Sequence, residues 1–413
     1  MPAAAPKLPV LLISLVFGPL SYGCSTPASE PVRDTTVYEG SVQLGSPDEA
    51  REFLLDYHEV TGDFILHGEA SWDLSGLQTI GGSLLANDAE FERLDFPDLQ
   101  DIGWMLLTSR NPRLESFQAP KLTEVGAQVS FSEDPALQVL NLQSLAEVAS
   151  LGIDGVLLRD DAFHLERLSS LDEFSSSSLA VVHGLINLTQ LPLIREVLLP
   201  NLTQAGALRV DASPSLQQLE APQLQGLEGE LRIDHIGGEH SEFLGQPDPP
   251  LHIDFSQLEH VSGDLFIDKN TSLIDARFDA LRSVGGTADF LGAVVMSGLY
   301  LDSLEDVGGR LRFEEQWQAT ELSLSNLQST GGLELRFHRE LTTFSAPALA
   351  TIEGDLLLEE LQSLSDIALP SLSWVSGDIR LHSLPSLPNS EVDELIDGLG
   401  VKGLGGQLIT DGP

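Results

Sequence analysis

An apolar residue, a glycine-bearing turn and a short alternating strand recur along this chain at a nearly fixed interval, and no other feature restricts the fold as much. Residues 261–284 show the unit in full, V-S-G-D-L-F-I-D-K-N-T-S-L-I-D-A-R-F-D-A-L-R-S-V. The turn at Ser262-Gly263-Asp264 opens a strand with Leu265 and Ile267 on one side and Phe266 and Asp268 on the other. A polar turn follows at Lys269-Asn270-Thr271, and then a looser apolar pattern, Leu273, Ala276, Phe278 and Leu281. Aligned on the residue before the turn, the series reads Val60, Ile80, Ile102, Val125, Val148 and, after an irregular middle, Leu227, Val261, Val284, Val307, Ser329, Ile352 and Val375. Most steps are 20 to 23 residues. A period of this size with one strand per unit predicts a mainly β fold, a β-solenoid of roughly 22–23-residue leucine-rich coils, about 13–15 of them.

The turn slot holds Gly81-Gly82, Gly285-Gly286 and Gly308-Gly309 in some units and Gly62-Asp63, Gly263-Asp264, Gly354-Asp355 and Gly377-Asp378 in others. A tight turn needs that permissive backbone. The second half of the unit repeats a proline two residues before an inward leucine, as in Pro97/Leu99, Pro120/Leu122, Pro222/Leu224, Pro347/Leu349 and Pro370/Leu372. Proline donates no ladder hydrogen bond, so it marks a corner. Residues 150–206 lengthen the spacing, and residues 236–250 read as a Gly/Pro-rich loop insertion. Both are expected as excursions from one solenoid, with a break into two lobes near residues 170–185 as the alternative. Ser46, Pro47 and the early acids that follow predict a capping helix, and residues 389–398 predict a second.

Iterated V-x-G-x-L-x-I and L-x-x-L-x-x-P-x-L motifs over residues 38–413 resemble the receptor L-domain family, the leucine-rich solenoids of growth-factor receptor ectodomains, fungal wall proteins and bacterial surface lipoproteins. The resemblance implies a right-handed solenoid closed by short helical caps, and a non-enzymatic binding or adhesion role. The asparagine slot of plain leucine-rich repeats is mostly missing, which favours the L-domain type. The terminal cysteines of receptor versions are missing as well, so stability must come from stacking and caps.

The one cysteine, Cys24, excludes a disulfide framework and a cysteine-based zinc site. Lys7, the short apolar run 8–20 and Gly23-Cys24 resemble a bacterial lipoprotein signal and lipobox, although Ser21 and Tyr22 depart from the usual residues. The run is too short to span a bilayer as a helix. The resemblance implies removal of residues 1–23, acylation of Cys24 and a membrane anchor, with residues 24–37 as a polar tether. Ser25 after the cysteine points to the outer membrane, surface-exposed or periplasmic. A plain secretory signal is the simpler alternative. The formal net charge of −42 keeps the chain soluble and argues against nucleic acid as a partner.

No nucleophile elbow, zinc-protease, P-loop or dinucleotide motif is present, and no catalytic residue, cofactor or metal is assigned. Asp234-His235 with Glu239-His240 has the residue types of a metal site but reads as a solvated loop. The sequon asparagines Asn187, Asn201 and Asn270 read as turn residues, and the acid pairs Asp160-Asp161 and Glu359-Glu360 as surface charge. The outward strand positions say more. One column is expected to hold Arg209, Arg232, Phe266, Arg312 and Arg380, beside a mostly acidic column of Asp211, Asp234, Asp268 and Glu314. The plain reading is mutual neutralisation. The functional one is a recognition face for a protein or glycan ligand, because solenoids bind through extended faces. Two other functions stay open, a structural envelope protein without a discrete ligand and a carbohydrate-active enzyme on a β-helical scaffold.

Overall fold

The computed structural model describes residues 36–149, 161–237, 249–293, 298–315, 318–399 and 403–410. Cys24 and residues 1–35 lie outside them, as do residues 150–160 and most of the 236–250 insertion. Parallel coils of about 23 residues stack into a β-solenoid of about 14 turns. Most coils give a two-residue strand and then a longer one to the same parallel sheet, and in Val181–Thr189, Gln204–Asp211, Asp306–Glu314 and Ser329–Arg336 the two run together; the sheet counts 27 strands among the described residues. Shorter parallel sheets of 4, 6 and 3 strands form a second side.

The coils close because inward residues meet their own kind one coil away. Leu208, Leu231, Leu265, Ala288, Leu311, Leu333, Leu356 and Ile379 form one registered, buried column. Each buried leucine contributes about 2 kcal/mol by leaving water. Phe290 and Phe313 fill the next inward column as a stacked pair 5.2 Å apart. The proline corners behave as expected. Leu99 and Leu349 are buried, and their N–H groups donate back to the Phe96 and Ala346 carbonyls.

The glycine turn is tight because successive coils touch there. A Cβ on Gly126 would overlap the Gly103 carbonyl oxygen, and one on Gly308 that of Gly285. Where aspartate follows the glycine, its carboxylate caps the next coil. Asp264 Oδ1 accepts the Thr287 N–H at 2.7 Å, and Asp355 Oδ1 accepts the Asp378 N–H at 2.8 Å.

Two stretches depart from the expected alignment. Val307 pairs with Thr330, so the buried slot residue of that coil is Thr330, one place after Ser329. Its hydroxyl donates to the Gly332 carbonyl at 2.8 Å, which removes the cost of burying a polar group in an apolar column. In the irregular middle, Val148 pairs with Val182, Val182 with Ala205 and Ala205 with Leu227. The repeat therefore resumes directly after one long coil. In the long sheet Asp161–Glu166 pairs with Val181–Thr189 and this with Gln204–Asp211, and residues from Thr36 onward form one unit, whereas Glu173–Ser175 starts a new sheet on the second side. The lobe break does not occur in the long sheet. The changes of partner sheet fall on the second side only.

Both expected helices form. Helix α1 spans Pro47–Asp56, and the Ser46 side chain accepts the Glu49 N–H at 3.2 Å. Phe53 packs edge-on against Tyr38 of the first strand and Phe64 of the core. Helix α2 spans Asn389–Leu399 and buries Leu395 and Leu399. The first strand, Val37–Tyr38, takes in Val37 from the expected tether.

Candidate recognition face

From Leu84–Asn87 to Ile379–His382 each longer strand of the main sheet ends at a left-handed corner, and this fixes where its outward side chains sit. Asp88, Arg110, Ala212, Lys269, Phe337 and Glu360 all have φ between 51° and 59°, apart from Ala212 at 50°. Their N–H groups stay in the ladder, as when Ala212 donates to the Asp234 carbonyl and Lys269 to that of Leu291. The corner ends every strand in the same phase, so the outward slots align.

The register places Arg209, Arg232 and Phe266 on consecutive coils of one column. Asp289 then separates Phe266 from Arg312, and Glu334 and Leu357 separate Arg312 from Arg380. All five expected residues share the column, but only the first three adjoin. Asp211, Asp234 and Asp268 are likewise consecutive in the next outward column, with Leu291 before Glu314 and Arg336 after it. Arg310 and Arg336 were not anticipated on this face. The same alternation read two places to either side of Arg312 and Glu334 would have found both.

The charges interlock across coils. Arg209 donates to Glu230 at 2.5 Å, and Arg232 donates to Asp234 at 2.8 Å. The Arg232 guanidinium also lies 4.3 Å from the Phe266 ring centroid, within cation–π range. Arg312 donates to Glu314, with Glu334 3.5 Å away. Arg310 donates to Asp289 and Arg336 to Glu359, both at 2.8 Å. Arg380 bridges Asp355 and Asp378 at 2.7 and 2.8 Å. Exposure falls from 38% for the Arg209 and Arg380 side chains to 19% for Arg312, so Arg312 offers a partner least.

Burial and pairing oppose each other here. Burial raises the Asp234 carboxyl above the usual range despite the bond from Arg232. Burial works against the Arg232 charge too, but its bond to Asp234 and the charges of Asp234 and Glu230 hold its guanidinium above the ordinary value. At Arg380, which is more open, the hydrogen bond to Asp378 comes first among the causes of the same upward direction. The network is also incompletely satisfied. Asp234 Oδ1, Asp289 Oδ1 and the Nε atoms of Arg209, Arg232, Arg310 and Arg312 are buried without a hydrogen-bond partner.

The other sequence candidates resolve as structural groups. His235 pairs with Asp211 at 3.2 Å, Glu239 and His240 lie outside the described residues, and no metal-ligating group of three occurs among the described residues. Asn270 is buried, accepts the Ile236 N–H at 3.0 Å and donates to the Ile233 carbonyl at 2.7 Å. Asn111 and Asp134 are buried at the equivalent place, where Asn111 donates to the Ala86 carbonyl at 2.8 Å and Asp134 accepts the Asn111 N–H at 2.8 Å. Asn201 donates to the Ser177 carbonyl, while Asn187 sits in the strand column rather than a turn. Glu359 faces Arg336, whereas Glu360 turns away at the left-handed corner; Asp160 lies outside the described residues. No helix among the described residues is long and apolar enough to cross a membrane. Comparison with family models, curated proteins and solved structures found no match to this chain.

Proposed function

We propose that this chain is a cell-envelope lipoprotein, anchored through Cys24, that binds a protein or glycan without catalysis through the outward column around Arg209, Arg232 and Phe266. One internal comparison supports the reading. In earlier coils the same slot holds Ile65, Leu85 and Leu107, and in a later one Leu357, all half-buried. The fold therefore accepts apolar residues here and does not require arginine. Buried ion pairs add little net stability, and a partly satisfied network adds less than apolar packing. Arginine stacked on an aromatic ring is, in contrast, common in recognition surfaces. The L-domain resemblance points the same way.

A structural role without a discrete ligand is the second reading, favoured by the carboxylate partners that each of these arginines already has. An Arg209→Ala/Arg232→Ala variant separates the two. The binding reading expects an unchanged melting profile within a few degrees and loss of the partner captured from envelope extract by wild type. Full capture by the folded variant, or a collapse of stability with no capture by wild type, supports the structural reading.

A further inference from the structure

A concavity lies at the start of the same strands, where the repeat loses a residue. Between the inward partners Ala205 and Leu208 the chain takes three steps. The flanking coils take four, from Val182 to Ile186 and from Leu227 to Leu231. Gly206 thus lies between Gly184 and Gly229 of the adjoining coils, and His183 and Glu228 line the space beside it. The concavity measures about 160 Å³. At about 30 Å³ per water it holds about five waters, the space of one sugar ring and not of two.

Its floor is apolar and its rim is polar. Val182 and Ala205 are buried beneath it, and Gln204, Gln225, Glu228 and His260 stand around it. A Cβ on Gly226 would overlap the His260 ring, so the imidazole lies against that glycine. His183 is held at 3.1 Å by Glu147. The side chains of Gln204, Gln225, Glu228 and His260 make no hydrogen bond or ion pair among the described residues. The rim therefore offers amide, imidazole and carboxylate groups, donors and acceptors together, with no lysine or arginine among the lining residues. An anionic ligand is disfavoured by Glu228, by Glu147 and by the net charge of −42.

We propose that this concavity is a subsite for one neutral pyranose ring, such as the end of a glycan chain. Vicinal hydroxyls pair with the amides and carboxylate, and the ring's C–H face rests on Ala205 and the glycine backbone. The site uses none of the arginine column and does not depend on it.

The test titrates the full chain with neutral methyl hexopyranosides and with a uronic acid of the same ring. It compares wild type, Gly226→Gln and Glu228→Ala. The register aligns Gly226 with Gln204 and His260, and a side chain there must turn the exposed His260 imidazole aside but meets no backbone. A neutral glycoside is expected to bind wild type with a dissociation constant in the millimolar range, weakened about tenfold or more by either substitution at an unchanged melting temperature. The uronate should not bind, and Arg209→Ala/Arg232→Ala should bind the glycoside normally. Absence of neutral glycoside binding, equal binding by both pocket variants, or equal binding of the uronate would overturn the proposal. If only the arginine variant lost the glycoside, the pocket would be wrong and the arginine face would stand.

Discussion

At residue scale, Asp134 is the most consequential buried charge. Its carboxylate accepts the Thr108 hydroxyl at 2.7 Å, the Asn111 N–H at 2.8 Å and the Asn111 amide at 3.1 Å. Burial nevertheless pushes its carboxyl up to about 6. The folded chain thus holds this proton more tightly than the unfolded chain does. The associated stability is complete below about pH 3.8 and is lost as pH rises through about 6. Asp134→Asn should remove that dependence, gaining on the order of 1–3 kcal/mol over wild type at pH 7 and nothing at pH 4. Thermal melts of both proteins at the two pH values check it. No gain at neutral pH would mean that Asp134 stays ionised at little cost. The left-handed corners give a second expectation. Ala212→Gly should stabilise by roughly 0.5–1 kcal/mol, since alanine is strained at φ 50° and glycine is not. A lower denaturant midpoint would contradict it. Nothing in alanine, arginine or phenylalanine announces such a corner. The neighbouring coil imposes it by taking the N–H into its ladder, which is why Lys269-Asn270-Thr271 read only as a polar turn.

At element scale, the coil was largely legible because one slot has one physical demand. Glycine recurs where coils touch, leucine where they bury, and proline where no donor is needed. Gly308→Ala should cost about 1–3 kcal/mol, because its Cβ meets the Gly285 carbonyl rather than a movable side chain. Chemical denaturation measures this, and a cost near zero would show that the corner has slack. Thr330 is hidden from the pattern because its hydroxyl is satisfied inside the core, so a polar residue stands where the repeat asks for valine. The middle coils were missed because Val182 and Ala205 follow a coil lengthened to 34 residues between Val148 and Val182. The outward column was legible in phase but not in continuity. Alternation tells which residues face out, whereas the interruptions at Asp289 and Glu334 needed the pairing of every coil.

At the scale of the whole molecule, like charge is the dominant long-range force. Raising salt from about 0.01 to 0.15 M shortens the Debye length from about 30 to about 8 Å. With a net charge of −42 the melting temperature should rise over that range, although the ion pairs of the face weaken. A fall would show that the cross-coil pairs outweigh the repulsion. Anchoring is tested by feeding cells a fatty-acid analogue, which should label the wild type and leave Cys24→Ala unlabelled; equal labelling refutes acylation there. Solenoid stability is nearly a sum over neighbouring coils, so occupancy of one face can be read locally. Amide hydrogen exchange of the chain, alone and saturated with its captured envelope partner, therefore locates binding most directly. Added protection is expected on strands Gln204–Asp211, Leu231–Asp234 and Leu265–Asp268, the coils of Arg209, Arg232 and Phe266. Protection confined to the strands of the second side, with these three unchanged, would contradict it.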